Sequence, residues 1–224
     1  MAILVMVPIG YLLGSLPFGL IIAWMAKRVD VRDYGSGKTG MTNVLRTVGV
    51  KAAALSMALD MGKSILAVIL ARVFFDEPAA EVAAAVAALI GHNWPVYVGF
   101  RGGRGTASGL GGLFILSPWA GLVAALVGVT TIATTRWVSL GSILGTVSGV
   151  VTLAVLVALG FAPAEYVWYS IIGGGLVVAR HWDNILRLVK GKERKIGESA
   201  DVRIDEPGDG KERRRGFFRW PKSA

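Results

Sequence analysis

The chain has 224 residues, 54% of them hydrophobic, with a mean hydropathy of +0.58 and a formal net charge of +9. Soluble domains run nearer 45–50% apolar with about 25% charged residues; here the charged fraction is 17%, and residues 1–26, 105–135 and 137–164 carry no charge at all. Charge-free apolar stretches of about 18 residues or more read as membrane-spanning, which excludes an ordinary soluble enzyme and a disordered chain. The lack of cysteine removes disulfide frameworks, thiolate metal sites and cysteine nucleophiles. Two histidines 89 positions apart offer no local zinc motif, and no metal or organic cofactor is indicated.

In chain order, residues 3–26 form the first span. It begins without a basic leader region, so a retained helix is expected in place of a cleaved signal peptide. Six basic residues follow, Lys27, Arg28, Arg32, Lys38, Arg46 and Lys51, and the positive-inside rule puts this loop in the cytoplasm and the N-terminus outside. Residues 52–75 return outward with Asp60 and Lys63 in their interior. The turn Asp76-Glu77-Pro78 lacks Lys and Arg, as an outer loop should, and residues 81–100 come back in. A single helix over 105–135 would run about 46 Å against a hydrocarbon core of roughly 30 Å. It would also strand twelve Lys and Arg after His181 on the outer side. Splitting it at Ser117-Pro118 removes both conflicts, because proline disfavours helix before it and lacks an amide donor. Residues 137–159 and 166–179 complete an all-α polytopic fold of seven transmembrane segments, one of them a half-helix at about 105–116, with the N-terminus out and the C-terminus in.

The chemistry-bearing segments fall on one membrane face. The first loop holds Gly35-Ser36-Gly37-Lys38-Thr39-Gly40-Met41-Thr42-Asn43 and then Arg46; glycine amides, hydroxyls and cations together are the ingredients of a phosphate cradle. A nucleotide-hydrolysing P-loop is not the reading, since that pattern needs a glycine where Arg32 stands. A second cluster, Arg101-Gly102-Gly103-Arg104-Gly105-Thr106, opens the half-helix, whose N-terminus suits an anion if protein or water covers it. Ser139 and Ser142 follow Arg136, and Arg180-His181-Trp182-Asp183-Asn184 ends the last span. Four segments therefore converge on an anionic-substrate site. His92, in Gly91-His92-Asn93, reads as structural, as do Asp30 and Asp33; Asp60 and Lys63 are three apart and can pair on one helix face.

With Gly14-Ser15-Leu16-Pro17-Phe18-Gly19, Gly35-Ser36-Gly37, Thr42-Asn43-Val44-Leu45-Arg46, Gly91-His92, Phe100-Arg101-Gly102-Gly103-Arg104-Gly105 and Arg180-His181 through Arg187-Leu188 in order, the chain resembles the bacterial PlsY family of membrane acyltransferases. The resemblance runs from about Tyr11 to Ile196. It implies transfer of a fatty acyl group from acyl phosphate to the 1-hydroxyl of glycerol 3-phosphate, giving lysophosphatidic acid for phospholipid synthesis. It also implies a site facing the cytoplasm of a bacterial cell membrane. Catalytic roles then fall to Ser36, Arg46, Arg104, Ser142, His181 and Asn184, and substrate binding to Gly35, Gly37, Lys38, Thr42, Asn43, Gly102, Gly103 and Gly105. The chain departs from the family pattern at Lys38 (usually asparagine), Met41 (usually alanine) and Arg104 (usually lysine).

A transporter, or a non-catalytic binder of phosphorylated solutes or lipids, is the alternative reading. A transporter is expected to carry cations near the bilayer midplane, whereas nearly all here cluster at one face. The domain expectation is a membrane acyltransferase unit over 1–197 and a basic, disordered cytoplasmic tail over 198–224. That tail ends in Arg213-Arg214-Arg215-Gly216-Phe217-Phe218-Arg219-Trp220, suited to anionic lipid headgroups in preference to nucleic acid.

Overall fold

The computed structural model describes residues 1–198; the tail expectation for 199–224 lies outside them. Every regular element among the described residues is helical. The first apolar segment is two helices, α1 (Ala2–Gly14) and α2 (Phe18–Lys27). The break falls at Ser15-Leu16-Pro17, where proline cannot donate and the Ser15 hydroxyl turns back onto Tyr11 O at 2.8 Å. A loop with one 3-10 turn (Val31–Asp33) leads to the short α3 (Met41–Thr47), then to α4 (Val50–Phe75) and α5 (Pro78–Asn93). α5 stops short of the expected residue 100 because Pro95 follows it.

The 105–135 stretch divides where proline predicts: α6 (Thr106–Leu116) and α7 (Pro118–Thr135) meet at Ser117, whose hydroxyl caps α7 by accepting from Ala120 N–H. α8 (Val138–Ala158) packs antiparallel to α7. The last apolar segment begins with a π turn (Tyr169–Gly173) that runs into α9 (Gly174–Arg180) and α10 (Trp182–Val189).

Small residues let these helices approach. A methyl at Gly14 or Gly91 would overlap the facing backbone of Ala88 or Tyr11, so α1 and α5 pack with almost no side chain between them. No residue of the half-helix α6 is exposed. Its Gly109 carbonyl accepts from the Tyr169 hydroxyl at 2.6 Å, and its Ile115 carbonyl accepts from Arg72 at 3.2 Å. Arg72 thereby caps the C-terminus of α6, where a cation is favourable. It is itself held by Glu81 at 2.7 and 3.0 Å, and the Tyr166 hydroxyl donates to the same carboxylate at 2.7 Å. The Asp60–Lys63 pair forms at 2.8 Å and is buried, with Lys63 also 3.0 Å from His92 Nδ1.

Among the described residues, four helical stretches are long and apolar enough to cross a membrane: Ala2–Lys27, Val50–Phe75, Pro118–Thr135 and Val138–Ala158. Leu4, Phe74, Trp119, Leu126, Val151 and Phe161 are more than half exposed. So large an apolar surface belongs against lipid, not water.

Candidate active site

The four glycine- and cation-bearing segments close around one cavity of about 390 Å³. Its polar end is lined by Ser36, Lys38, Thr42, Asn43, Arg46, Arg104, Gly105, Ser142, His181 and Asn184, ten of the residues singled out from the sequence. Gly35, Gly37, Gly102 and Gly103 do not line it; Gly35 and Gly37 take positive φ in the first loop. The other end is apolar: Leu110, Leu113 and Phe114 of α6, Val129 of α7, Val150 of α8 and Val177 of α9.

Each segment has a local reason for its shape. The first loop is folded around the buried Asn43, whose Nδ2 donates to Val31 O, Tyr34 O and Lys38 O at 2.8–3.1 Å while its Oδ1 accepts from Ser36 N–H at 3.2 Å. Asn43 thus spends its polar atoms on the loop and is a scaffold for Ser36 and Lys38. Gly105 adopts φ +84, a conformation that L side chains rarely take, and this turn starts α6 at the cavity. Helix geometry leaves the first amides of α6 without intrahelical acceptors, and Thr106 and Ala107 line the cavity beside them.

Glu193, which the sequence analysis passed over, organises the remaining wall. It accepts from Ser139 Oγ at 2.7 Å, Asn184 Nδ2 at 2.6 Å and Arg187 Nε at 2.7 Å. Burial pushes its carboxyl up, but these hydrogen bonds outweigh burial and hold it below the ordinary value of 4.5. Segment 191–197, which carries it, lies over the site: Arg46 donates to Arg194 O at 3.3 Å, and Arg136 and Ile196 exchange two hydrogen bonds at 2.8 and 2.9 Å. The signal available in the sequence was slight, one acid within the cationic run Lys190 to Lys195.

The electrostatics are those of an anion site. Burial, and then the nearby Arg187, lower Arg104 to about 10, still fully charged at neutral pH. Burial followed by the fields of Arg180 and Arg104 lowers Lys38 as well. Arg46 Nε, Arg104 Nε and Asn184 Oδ1 are buried with no hydrogen-bond partner among the described residues, groups that a bound phosphate and polyol would satisfy. His181 Nδ1 sits 2.8 Å from Val177 O, the geometry of a donor, which leaves Nε2 as an acceptor. Burial first, then the Arg104 charge, pushes its pKa down to about 4, so the ring is neutral at pH 7. Among the described residues no group of three or more acidic or histidine side chains could hold a metal.

The family model described as glycerol-3-phosphate acyltransferase matches residues 4–191, nearly all of the described chain. The chain belongs to the glycerol-3-phosphate acyltransferase family. Curated relatives agree over almost their whole length. Glycerol-3-phosphate acyltransferase 3 of Dehalococcoides mccartyi is 41% identical over 210 residues, spanning 88% of this chain and 97% of its own. The glycerol-3-phosphate acyltransferase of Desulforamulus reducens is 43% identical over 195 residues, spanning 87% and 96%. The structure resembles the crystal structure of PlsY, an integral membrane glycerol 3-phosphate acyltransferase, in its glycerol 3-phosphate form. That likeness has a TM-score of 0.81 and 37% identity, and covers 88% of this chain and 96% of PlsY. The lysophosphatidic acid form matches with a TM-score of 0.78 and 36% identity. The protein is therefore an acyltransferase and a multi-pass membrane protein, as this glycerol-3-phosphate acyltransferase family is.

Proposed function

We propose that the protein moves a fatty acyl group from acyl phosphate to the 1-hydroxyl of glycerol 3-phosphate, releasing inorganic phosphate and 1-acylglycerol 3-phosphate. The observation that carries this reading is one cavity joining a cationic, glycine-rich end to an apolar end. Two phosphate-bearing substrates and one alkyl chain need that shape. The solved relatives in glycerol 3-phosphate and lysophosphatidic acid forms support the acceptor and the product.

In the reaction the acceptor hydroxyl oxygen bonds to the acyl carbonyl carbon, and the bond from that carbon to the phosphate oxygen breaks with its electron pair. The donor is already activated, so no acyl-enzyme is required, and positioning with charge stabilisation supplies the acceleration. Arg46 and Arg104 clamp phosphate groups, with Lys38 adding charge and Ser36 and Ser142 adding hydroxyl donors. Asn184, held by Glu193, seats the glycerol moiety. His181 presents Nε2 to the attacking hydroxyl, but a ring with a pKa near 4 is a weak base at neutral pH. A phosphate monoester ionises near pH 6, so the substrate phosphate is the better final proton acceptor and His181 orients the hydroxyl.

The same reading places seven spans around the site, the half-helix α6 among them, with the N-terminus outside and the site facing the cytoplasm. The basic loops support this orientation. The catalytic unit ends near residue 197, because segment 191–197 contributes to the wall of the site. The test is transfer by purified protein of labelled glycerol 3-phosphate into 1-acyl product, with palmitoyl phosphate and palmitoyl-CoA as rival donors. Product from palmitoyl phosphate alone supports the proposal; product from palmitoyl-CoA alone contradicts it.

A further inference from the structure

One residue of the second glycine loop, Gly103, is held at both of its backbone polar atoms. Gly103 N–H donates to His92 O at 3.1 Å, and Gly103 O accepts from Arg180 Nη at 3.1 Å. The loop also rests on the His92 ring, since a Cβ at Gly103 would collide with His92 Nε2. The floor beneath is rigid. His92 Nδ1 meets Lys63 Nζ at 3.0 Å, and Lys63 donates to Asp60 at 2.8 Å and to Leu16 O at 2.9 Å, all of these side chains being buried. From the other side, Arg180 ends α9 with its guanidinium 5.0 Å from the centre of the Trp94 ring. Arg180 does not line the cavity, whereas Arg104, the residue after the doubly held Gly103, does. Gly105 then turns the chain into α6.

We propose that Arg180 is a positioning residue that, with His92 as the opposing jaw, fixes the 101–105 loop and so aims Arg104 at the bound phosphate. The inference rests on the acyltransferase reading for its kinetic arm only. A half-buried cation that spends a hydrogen bond on a loop carbonyl, with Asp183 and Arg104 in its field, is more than packing alone requires. Its gain is that the Arg104 backbone has little freedom, so the guanidinium is presented without an ordering cost at each turnover. Arg180 supplies this through a directed hydrogen bond and a cation held over the Trp94 ring, which an aliphatic residue of similar volume could not give.

The experiment is a double-mutant cycle in the purified full-length protein, with hydrogen exchange measured in parallel. Arg180→Gln is expected to lower kcat/KM for palmitoyl phosphate and glycerol 3-phosphate about tenfold, yet less than about twofold in an Arg104→Gln background, because contacting groups couple and independent ones add. Arg180→Lys should recover most of the loss. Exchange of the amides in 101–106 should rise about tenfold in Arg180→Gln while the centre of α8 stays protected. Equal losses in both backgrounds would overturn the proposal, as would unchanged exchange across 101–106. A wild-type chain without turnover would overturn the acyltransferase reading instead, and the exchange arm would still decide whether Arg180 holds the loop.

Discussion

Replacing Glu193 with glutamine changes almost no volume, yet it should damage both the fold and the site. The carboxylate takes three donors: Ser139 and Asn184 on Oε1, and Arg187 on Oε2. A glutamine has one acceptor and one donor end. With its oxygen toward Ser139 and Asn184, its NH₂ faces the Arg187 Nε–H; flipped, the NH₂ faces two donors. One charge-assisted bond is lost outright and the others weaken. Charge-assisted bonds contribute about 1.5–3 kcal/mol each. Because the Arg187 side chain is 40% exposed, its share is discounted for solvent, which leaves a cost of about 2 kcal/mol. That is roughly 30-fold in the balance between a seated and a released segment 191–197. At about 2–4 °C per kcal/mol for a domain of this size, the apparent melting midpoint should fall by about 4–8 °C. Turnover should drop as Asn184 loses its orientation. Intrinsic tryptophan fluorescence in detergent reads the first effect, and phosphate release from palmitoyl phosphate reads the second. A Glu193→Gln protein with the wild-type midpoint and wild-type turnover would refute the reasoning.

Arg46→Ala should reduce turnover at least about 100-fold while changing the midpoint little, since among the described residues Arg46 donates to the backbone carbonyls of Arg194 and Lys195 and keeps one buried donor unpaired; an active variant would remove it from the phosphate clamp. Arg104→Lys keeps the charge and loses the planar fork, so KM for one phosphate substrate should rise about tenfold or less with kcat little changed, as steady-state kinetics in both substrates will read. His181 titrates near 4 in the folded protein against 6.5 when solvated. The unfolded chain therefore binds more protons between these values, and the contribution of His181 to stability is complete above about pH 6.5 and lost as pH falls toward and through about 4. Midpoints of wild type and His181→Gln measured from pH 8 to 4 should hold a constant offset above pH 7, with wild type losing ground below 6.5; a pH-independent offset would contradict the neutral, buried ring.

The sequence disclosed those parts of the site that local chemistry specifies. Glycines and cations crowd the first loop and the start of α6 in the pattern expected of a phosphate cradle, and Ser117-Pro118 between two apolar runs signals a helix break. Contacts made only in three dimensions were not legible. Asn43 looks like a substrate ligand in its motif, and only the folded loop reveals that its amide is consumed by Val31, Tyr34 and Lys38. Glu193 sits among lysines and arginines where an acid reads as a solvated charge; its burial depends on α8 arriving from elsewhere in the chain. The Arg72–Glu81 pair makes sense only once the half-helix terminus at Ile115 is beside it. The π turn over Tyr169–Gly173 has no local signature, and it sets the Tyr169 hydroxyl against Gly109.

The most direct measurement of the central claim is the stoichiometry of a single reaction mixture. Purified protein, palmitoyl phosphate and glycerol 3-phosphate should yield inorganic phosphate and 1-palmitoylglycerol 3-phosphate in equal amounts, with phosphate release falling to background when glycerol 3-phosphate is omitted. Phosphate release without the acceptor and without acylated product would contradict acyl transfer, leaving at most hydrolysis at the same cationic cavity.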